Sequence, residues 1–271
     1  MHEFLYMRKK TRKEIKNGTS PCLQCPQLIK GIHMPERLPV SSITFEYCGH
    51  CNGRCSYCDI WRPENRERNA QRYQVYPVLK WLINRGYINT RRGQSDWGGG
   101  EPTLIPEFGD IMELLNKAGM STFVNTNAIL FSHQLSESLK NGRARIQVSL
   151  DSGNRETYIE MKGQDKYNEV VTNIKKYAFI NPDKITLKYI INDKNNSWES
   201  LTGFLDLCRE IRIKQVVLSP EYTECWKHQI SEMTFSQIKL FYREANRRNF
   251  NVSVLWDCFR TNYPERIGEI V

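Results

Sequence analysis

The sequence predicts an α/β protein built as a partial (β/α)6 barrel of the TIM-like kind, with an N-terminal and a C-terminal extension. Three observations carry this expectation. Between residues 41 and 220, apolar residues switch six times from an alternating pattern to helical spacing. The linkers between these segments leave room only for right-handed crossovers, which place helices against a parallel sheet. Finally, the strands alternate rather than running continuously apolar as fully buried parallel strands do. Arg145, Gln147, Ser149 and Asp151 share one face, and Ile146, Val148 and Leu150 the other. Lys184, Thr186, Lys188 and Asn192 likewise oppose Ile185, Leu187, Tyr189 and Ile191. A closed eight-stranded barrel fills its interior with branched apolar side chains. A polar interior face suits an open barrel with a cavity. A two-layer sheet with one solvated face gives the same pattern, but helices joining both flanks of each strand favour the barrel.

The elements follow in order. Residues 42–47 alternate Ile43, Phe45 and Tyr47 against Ser42, Thr44 and Glu46, which reads as a strand. Tyr73, Tyr76, Val78, Leu79, Leu82 and Ile83 mark a helix over 71–85. A short strand at 94–98 runs into glycines, and a helix over 105–118 ends at Gly119 as its C-cap. A strand at 121–126, a short helix at 134–140 and a strand at 145–150 come next. Residues 155–180 form a helical stretch with its break at Gly163. Then follow a strand at 184–191, a helix at 198–211, a strand at 214–218, a helix at 236–248 and a last strand candidate at 252–256. The domain expectation is an extension over 1–40, a barrel over 41–220 and a second extension over 221–271.

At 271 residues and 39% hydrophobic content the chain can bury one large core. The basic start, with Arg8, Lys9, Lys10, Arg12, Lys13 and Lys16, lacks a following apolar stretch and is not a secretory signal. No run approaches the length of a bilayer span. A cytoplasmic location with no membrane partner is therefore expected. Nine cysteines there point to metal or redox chemistry rather than disulfides. The net charge of +9 leaves nucleic acid open as a partner, although the basic run also reads as a solvated helix face.

The chemistry-bearing residues collect at the carboxyl ends of the expected strands, where parallel βα folds place their sites. Cys51, Cys55 and Cys58, in a C-x3-C-x2-C spacing, follow the first strand. Gly98, Gly99, Gly100 and Glu101 follow the second, and Asn127 follows the third. Ser149 and Asp151 end the fourth, Asn192 the fifth, and Glu221 follows the sixth. Three close cysteines are one thiolate short of the four that hold a cubane iron–sulfur cluster, which leaves one iron open. With Cys48 the segment also reads as a four-cysteine zinc site, although zinc modules usually separate their two pairs by a dozen or so residues.

The cysteine spacing, with Tyr57 before its last member, and the Gly-Gly-Glu turn at 99–101 resemble the signatures of the radical S-adenosylmethionine (SAM) superfamily over about residues 41–220. That resemblance implies a [4Fe-4S] cluster on Cys51, Cys55 and Cys58 that chelates and reductively cleaves SAM. The 5′-deoxyadenosyl radical released then takes hydrogen from a substrate. It further implies that Gly99, Gly100 and Glu101 bind the SAM amino group, that Ser149 and Asp151 lie near the SAM ribose and amino acid, and that Lys162 holds the SAM carboxylate. Tyr57, Asn127, Asn192 and Glu221 join this cofactor-binding set. Ala128 replaces the glycine of a common Thr-Asn-Gly motif. An electron donor such as flavodoxin or ferredoxin, and a small-molecule or carrier-bound substrate, complete the expectation.

Cys22 and Cys25, flanked by Pro21 and Pro26, form a second C-x2-C pair. With Cys225 and Cys258 they are candidates for a second iron–sulfur cluster or a zinc. Cys208, Cys225 and Cys258 are also candidate thiol donors to a product radical, Cys208 more simply a buried apolar side chain. The competing function is a non-catalytic zinc or iron–sulfur module that binds nucleic acid. A redox sensor is a third reading.

Overall fold

Seven short strands, joined by six crossovers, form a single parallel sheet in the order of the sequence. They are β1 (Ser42–Phe45), β2 (Gln94–Trp97), β3 (Ser121–Thr126), β4 (Ala144–Ser149), β5 (Ile185–Ile191), β6 (Gln215–Pro220) and β7 (Asn251–Val254). The computed structural model describes residues 10–11, 13–20, 40–46, 49–66 and 74–270. The chain forms two compact units, Met1–Leu38 and Pro39–Val271. In the first, a helical turn ends where Gly18, at φ +71°, reverses the chain and Thr19 N–H reaches the Glu14 carbonyl at 2.9 Å.

In the second unit each strand pairs only with its sequence neighbours, and β1 and β7 are the two edges of an unclosed sheet. Crossovers of one hand put all connecting helices on one side of such a sheet. These helices are α1 (Val75–Asn84), α2 (Phe108–Ala118), α3 (His133–Lys140), α4 (Arg155–Lys162), α5 (Tyr167–Ile180), α6 (Trp198–Glu210), α7 (Tyr222–Trp226), α8 (Glu232–Arg247) and α9 (Trp256–Asn262). Their ends obey local chemistry. Ser132, Asn154, Ser197 and Ser231 each accept a backbone N–H as N-caps of α3, α4, α6 and α8. Gly119 and Gly163 close α2 and α4 in the left-handed region.

The alternation expected from sequence divides the sheet. Ile146, Val148, Ile185, Leu187 and Tyr189 are fully buried against the helices with Phe204 and Phe241. The aromatic side chains there each bury roughly 150–250 Å² and dominate the hydrophobic term. On the opposite face the half-buried polar residues bond to one another. Gln94 Nε2 donates to Asp96 Oδ1 at 2.6 Å, Gln147 Nε2 to Asn125 Oδ1 at 2.7 Å, and Asn125 Nδ2 to the Trp97 carbonyl at 3.1 Å.

Six expected strands become seven because the C-terminal candidate joins β6 in parallel register, ending at Val254 where Trp256 opens α9. The expected 155–180 stretch is two helices, α4 and α5, parted at Gly163. Among the described residues no helix is long and apolar enough to cross a membrane.

Candidate active site

The loop after β1 carries Cys51, Cys55 and Cys58, all half-buried free thiols. Its shape is set by short-range bonds. Arg54 Nη1 donates to the carbonyls of Cys51 (3.1 Å) and Gly53 (2.9 Å), and its guanidinium lies 5.4 Å from the Trp61 ring centre. Trp61 Nε1–H reaches the Cys55 carbonyl at 3.1 Å, and Cys58 N–H the same oxygen at 3.2 Å. Gly53 leaves the space into which the sulfurs point. A Cβ there would lie 3.3 Å from Cys51 Sγ and 3.7 Å from Cys55 Sγ. The Cys51 sulfur accepts from Gly53 N–H at 3.3 Å and from Asn127 Nδ2 at 3.6 Å. Burial nevertheless pushes the Cys51 thiol up to about 11, and raises Cys58 as well. Thiols held this way become thiolates when a metal centre binds them.

Among the described residues no three His, Cys, Asp or Glu side chains converge on a point that would hold one metal ion. Tetrahedral zinc needs its sulfurs about 2.3 Å from a single centre, whereas a cubane spreads three thiolates over three irons. Three free thiols on one loop are the donor set of a cubane with one iron left open. Cys48, the fourth thiol of the zinc alternative, lies outside the described residues. The buried hydroxyls of Ser56, in the loop, and Ser152, after β4, have no hydrogen-bond partner among the described residues.

The glycine turn after β2 packs against the end of β1. Gly99, at φ +70°, has the Glu46 backbone 2.9 Å from where a Cβ would stand, so no other residue fits. Glu101 follows, 1% exposed, its N–H on the His50 carbonyl at 2.9 Å. Its Oε1 accepts from the hydroxyls of Thr103 (2.6 Å) and Thr126 (2.7 Å), and its Oε2 from Asn127 N–H at 2.8 Å. Burial raises the Glu101 pKa although these hydrogen bonds oppose the rise. Asn127 Nδ2 continues to Asn52 Oδ1 at 2.7 Å. The ends of β2 and β3 and the cysteine loop are thus joined through Glu101 and Asn127.

A second knot ties the loop to β4 and α4. Tyr57, between two of the cysteines, donates its hydroxyl to Asp151 Oδ2 at 2.5 Å. Lys162 Nζ donates to the Tyr57 oxygen at 2.9 Å and forms an ion pair with the same Asp151 oxygen. The Lys162 and Asp151 side chains are 4% and 0% exposed. Burial works against the Lys162 charge, but the Asp151 carboxylate outweighs it and holds the ammonium above the ordinary lysine value. Burial, followed by the Asp151 charge, raises Tyr57 well above its usual value. Gly163 allows the contact, because a Cβ there would stand 2.6 Å from the Arg54 carbonyl oxygen.

Asp151 itself takes a left-handed φ of +60°. Its Oδ1 accepts Ile190 N–H at 2.7 Å, and its carbonyl accepts Asn195 Nδ2 at 2.9 Å. Asn195 also donates to the Ile190 carbonyl and accepts from Asn192 N–H. The sequence reading missed Asn195 and Thr126. Asn195 stands in no recognisable motif, and an asparagine in a turn-rich loop carries no signal of its own; Thr126 opens the Thr-Asn-Gly-like motif, in which only Asn127 drew notice.

The other expected residues are placed as follows. Ser149 is half-buried on the polar face, next to Lys188 across the β4–β5 pairing. Asn192 closes a turn, its Oδ1 accepting Lys194 N–H at 2.9 Å. Glu221 caps α7, taking the N–H groups of Thr223 (2.9 Å) and Glu224 (2.7 Å). Cys22, Cys25 and the side chain of Cys258 lie outside the described residues. Cys225 is buried and disulfide-bonded, a state in which it offers neither a free thiol nor a metal ligand. Cys208 is fully buried in the core, with its thiol raised by burial, as the simpler reading has it.

The family model described as the radical SAM superfamily matches residues 45–219. Among curated proteins the chain is similar to the GTP 3′,8-cyclase of Photorhabdus laumondii. That match is 27% identical over 159 residues, 57% of this chain and 47% of the relative. A probable GTP 3′,8-cyclase of Saccharolobus islandicus is 24% identical over 181 residues, 66% of this chain and 56% of the relative. The chain spans about half the length of the curated relatives it matches. Among solved structures it is similar to Streptococcus suis SuiB bound to the precursor peptide SuiA. The TM-score is 0.64 at 15% identity, over 95% of this chain and 64% of that one. It is also similar to anSMEcpe with bound AdoMet, with a TM-score of 0.60 at 18% identity, over 80% of this chain and 64% of that one. These two likenesses show a shared fold.

Proposed function

The chain belongs to the radical SAM superfamily, and from that premise we propose that the rim of strand ends described above is its active site. It is a radical SAM enzyme whose cofactors are a [4Fe-4S] cluster and SAM. In this reading Cys51, Cys55 and Cys58 hold three irons of the cluster, and the fourth is open to SAM. When bound, the cluster supplies the electron that cleaves SAM, and SAM the radical that abstracts hydrogen.

The observation that carries the reading is the joining of the three loops. Asn127 donates through its side chain to Cys51 Sγ and through its backbone to Glu101. The cysteine loop and the Gly-Gly-Glu turn therefore occupy one rim, where a cosubstrate of SAM's size touches both. Glu101 is an acceptor at the base of that rim, suited to an ammonium because charge-assisted hydrogen bonds are about twice as strong as neutral ones. Gly99 and Gly100 bring bare backbone to the same place. Ser149 and Asp151 border it from β4, with Asn192 and Glu221 further along. Lys162 acts through Tyr57 and Asp151, fixing the cysteine loop, more directly than on a SAM carboxylate. The polar face of the sheet is where substrate would sit, with the helix-packed core behind it excluding water.

The substrate is proposed to be a small or carrier-bound molecule. The similarity to GTP 3′,8-cyclases favours a small one. Flavodoxin or ferredoxin would deliver the electron. Cys22 and Cys25 remain a proposed second cluster or zinc site. The test is anaerobic reconstitution of the whole chain, followed by dithionite and SAM. About four irons per chain and release of 5′-deoxyadenosine are expected. A reconstituted protein that holds iron but never cleaves SAM would overturn the reading. Tight nucleic-acid binding without cleavage would favour the non-catalytic module.

A further inference from the structure

The polar face of the sheet carries one lysine that the rim does not use. Lys188 lies in the middle of β5, between Leu187 and Tyr189, which are both fully buried on the helix-packed side. Alternation along a strand therefore sends Lys188 to the polar face. There it is half-buried, and its ammonium makes no hydrogen bond or ion pair with any described residue. Buried cations are otherwise paired. Lys162, a few residues from the same carboxylate, shows the usual solution in its ion pair with Asp151.

The nearby anion is already spent. Asp151 gives Oδ2 to Tyr57 and Lys162, and Oδ1 to Ile190 N–H. Burial, and the neighbouring charge of Lys162, lower the Lys188 pKa even with Asp151 opposing. The hydroxyl of Ser149, the Cα partner of Lys188 on β4, likewise makes no hydrogen bond with a described residue. An ammonium and a hydroxyl thus stand side by side on the face that borders the proposed SAM site.

We propose that Lys188 anchors an anionic group of the substrate, a carboxylate or a phosphate, on the polar face of the sheet beside the SAM site. This rests on the active-site reading above and adds to it a charge class for the substrate. A lysine suits the task as a compact point charge with three donors. The anion would complete the pairing that the fold leaves open, and would hold the neighbouring C–H bonds within reach of the rim.

The test uses the reconstituted full chain with SAM present, and inorganic pyrophosphate and citrate as probes of the two anion types. Lysines are acetylated with a water-soluble active ester and read by mass spectrometry. Lys117, with a side chain 74% exposed, is the internal control. One probe should slow acetylation of Lys188 by about threefold or more relative to Lys117, a change on the scale of 1 kcal/mol or less. Protection by pyrophosphate assigns a phosphorylated substrate, and protection by citrate a carboxylate. Lys188→Met should weaken that probe about tenfold by equilibrium dialysis, the scale of one charge-assisted hydrogen bond, and Lys188→Arg should retain most of the affinity. SAM affinity of Lys188→Met should stay within about twofold. Failure of both probes to protect Lys188 in the wild type overturns the proposal, whatever the variants do. So does a tenfold loss of SAM affinity in Lys188→Met, which would make the lysine a SAM ligand. Loss of SAM cleavage in the wild type would instead refute the active-site reading.

Discussion

The two halves of the strand-end rim are built on opposite plans. After β1, β2 and β3 the chain presents reactive atoms. Three thiols are free, Cys51 is raised to about 11 by burial, and the adjacent Ser56 hydroxyl is unpartnered. After β4 and β5 the polar groups, the Ser152 hydroxyl excepted, are closed on one another. Asp151, Lys162, Tyr57 and Asn195 form a buried network in which both Asp151 carboxylate oxygens are engaged. The first half carries atoms that gain from a ligand. The second supplies the rigidity, and Tyr57 is where they meet, because it sits on the cysteine loop yet bonds to the closed side. The difference shows how a fold can keep a loop of under-used thiols in place: the loop is held chiefly from its flank, and Asn127 Nδ2 is the one side chain of another strand end that bonds a described thiol, Cys51 Sγ.

The sharpest break of this comparison is on the reactive side. Cys55→Ala should drop iron from about four per chain to below about one after reconstitution, with the melting transition of the protein without a cluster little changed. Cys22→Ala/Cys25→Ala should leave at least the first four irons. Iron analysis checks both.

On the closed side the expected effect is on stability. Lys162→Met leaves Asp151 as an unpaired buried anion and should cost about 3–5 kcal/mol in denaturant melts. Adding Asp151→Asn, which tolerates the left-handed backbone, should recover part of that loss. The linkage has a definite sign. The Lys162 pKa is raised in the fold, so its contribution is complete below the ordinary value of 10.5 and is lost as pH rises through the higher folded value. The wild type should therefore lose stability above about pH 10.5 more steeply than Lys162→Met.

Asn195→Ala tests how far the closed half depends on its backbone clamp. It removes bonds to the Asp151 and Ile190 carbonyls and to Asn192 N–H. A cost of about 2–3 kcal/mol is expected, with hydrogen exchange rising first at the ends of β4 and β5.

The smallest effect lies past β6. Burial, then Glu221 and Asp193, push Glu224 up to about 7 from 4.5. Its folded pKa is raised, so stability is greatest below pH 4.5 and declines as pH climbs through about 7. Glu224→Gln should stabilise the protein at pH 8 by no more than about 1 kcal/mol, because the group is only half-buried and solvent screens its neighbours' charges. The gain should vanish near pH 4.5. A gain that persisted there would mean that packing, not charge, is responsible.

Much of this was legible in the sequence, and for a physical reason. Period-2 alternation in β4 and β5 revealed both the core face and the polar face, because a strand cannot hide which side each residue takes. The cysteine spacing and the Gly-Gly-Glu turn were readable because they are contiguous. Lys162, Tyr57 and Asp151 were each singled out, but Tyr57 lies 105 residues from Lys162 in the chain, and the three-way pairing appears only once β4 stands beside the cysteine loop. Asn195 and Thr126 were invisible for the same reason, since their roles are set by which backbone groups the fold delivers to them. Glu221 looked like a ligand contact, but its carboxylate is engaged at the start of α7.

The strand order has a consequence for how the molecule is made. Every strand docks on the one synthesised just before it, so a growing chain always has a finished edge to receive the next segment and need not wait for a distant partner. The contacts of the cysteine loop with α4 and its end, such as Tyr57–Lys162, 105 residues apart in the chain, and Asn52–Gln164, 112 apart, must be postponed until more than half the protein has left the ribosome. The cysteine loop would therefore be the last part of the early strands to become fixed, which gives an assembly machinery time to load it before it is locked from the side.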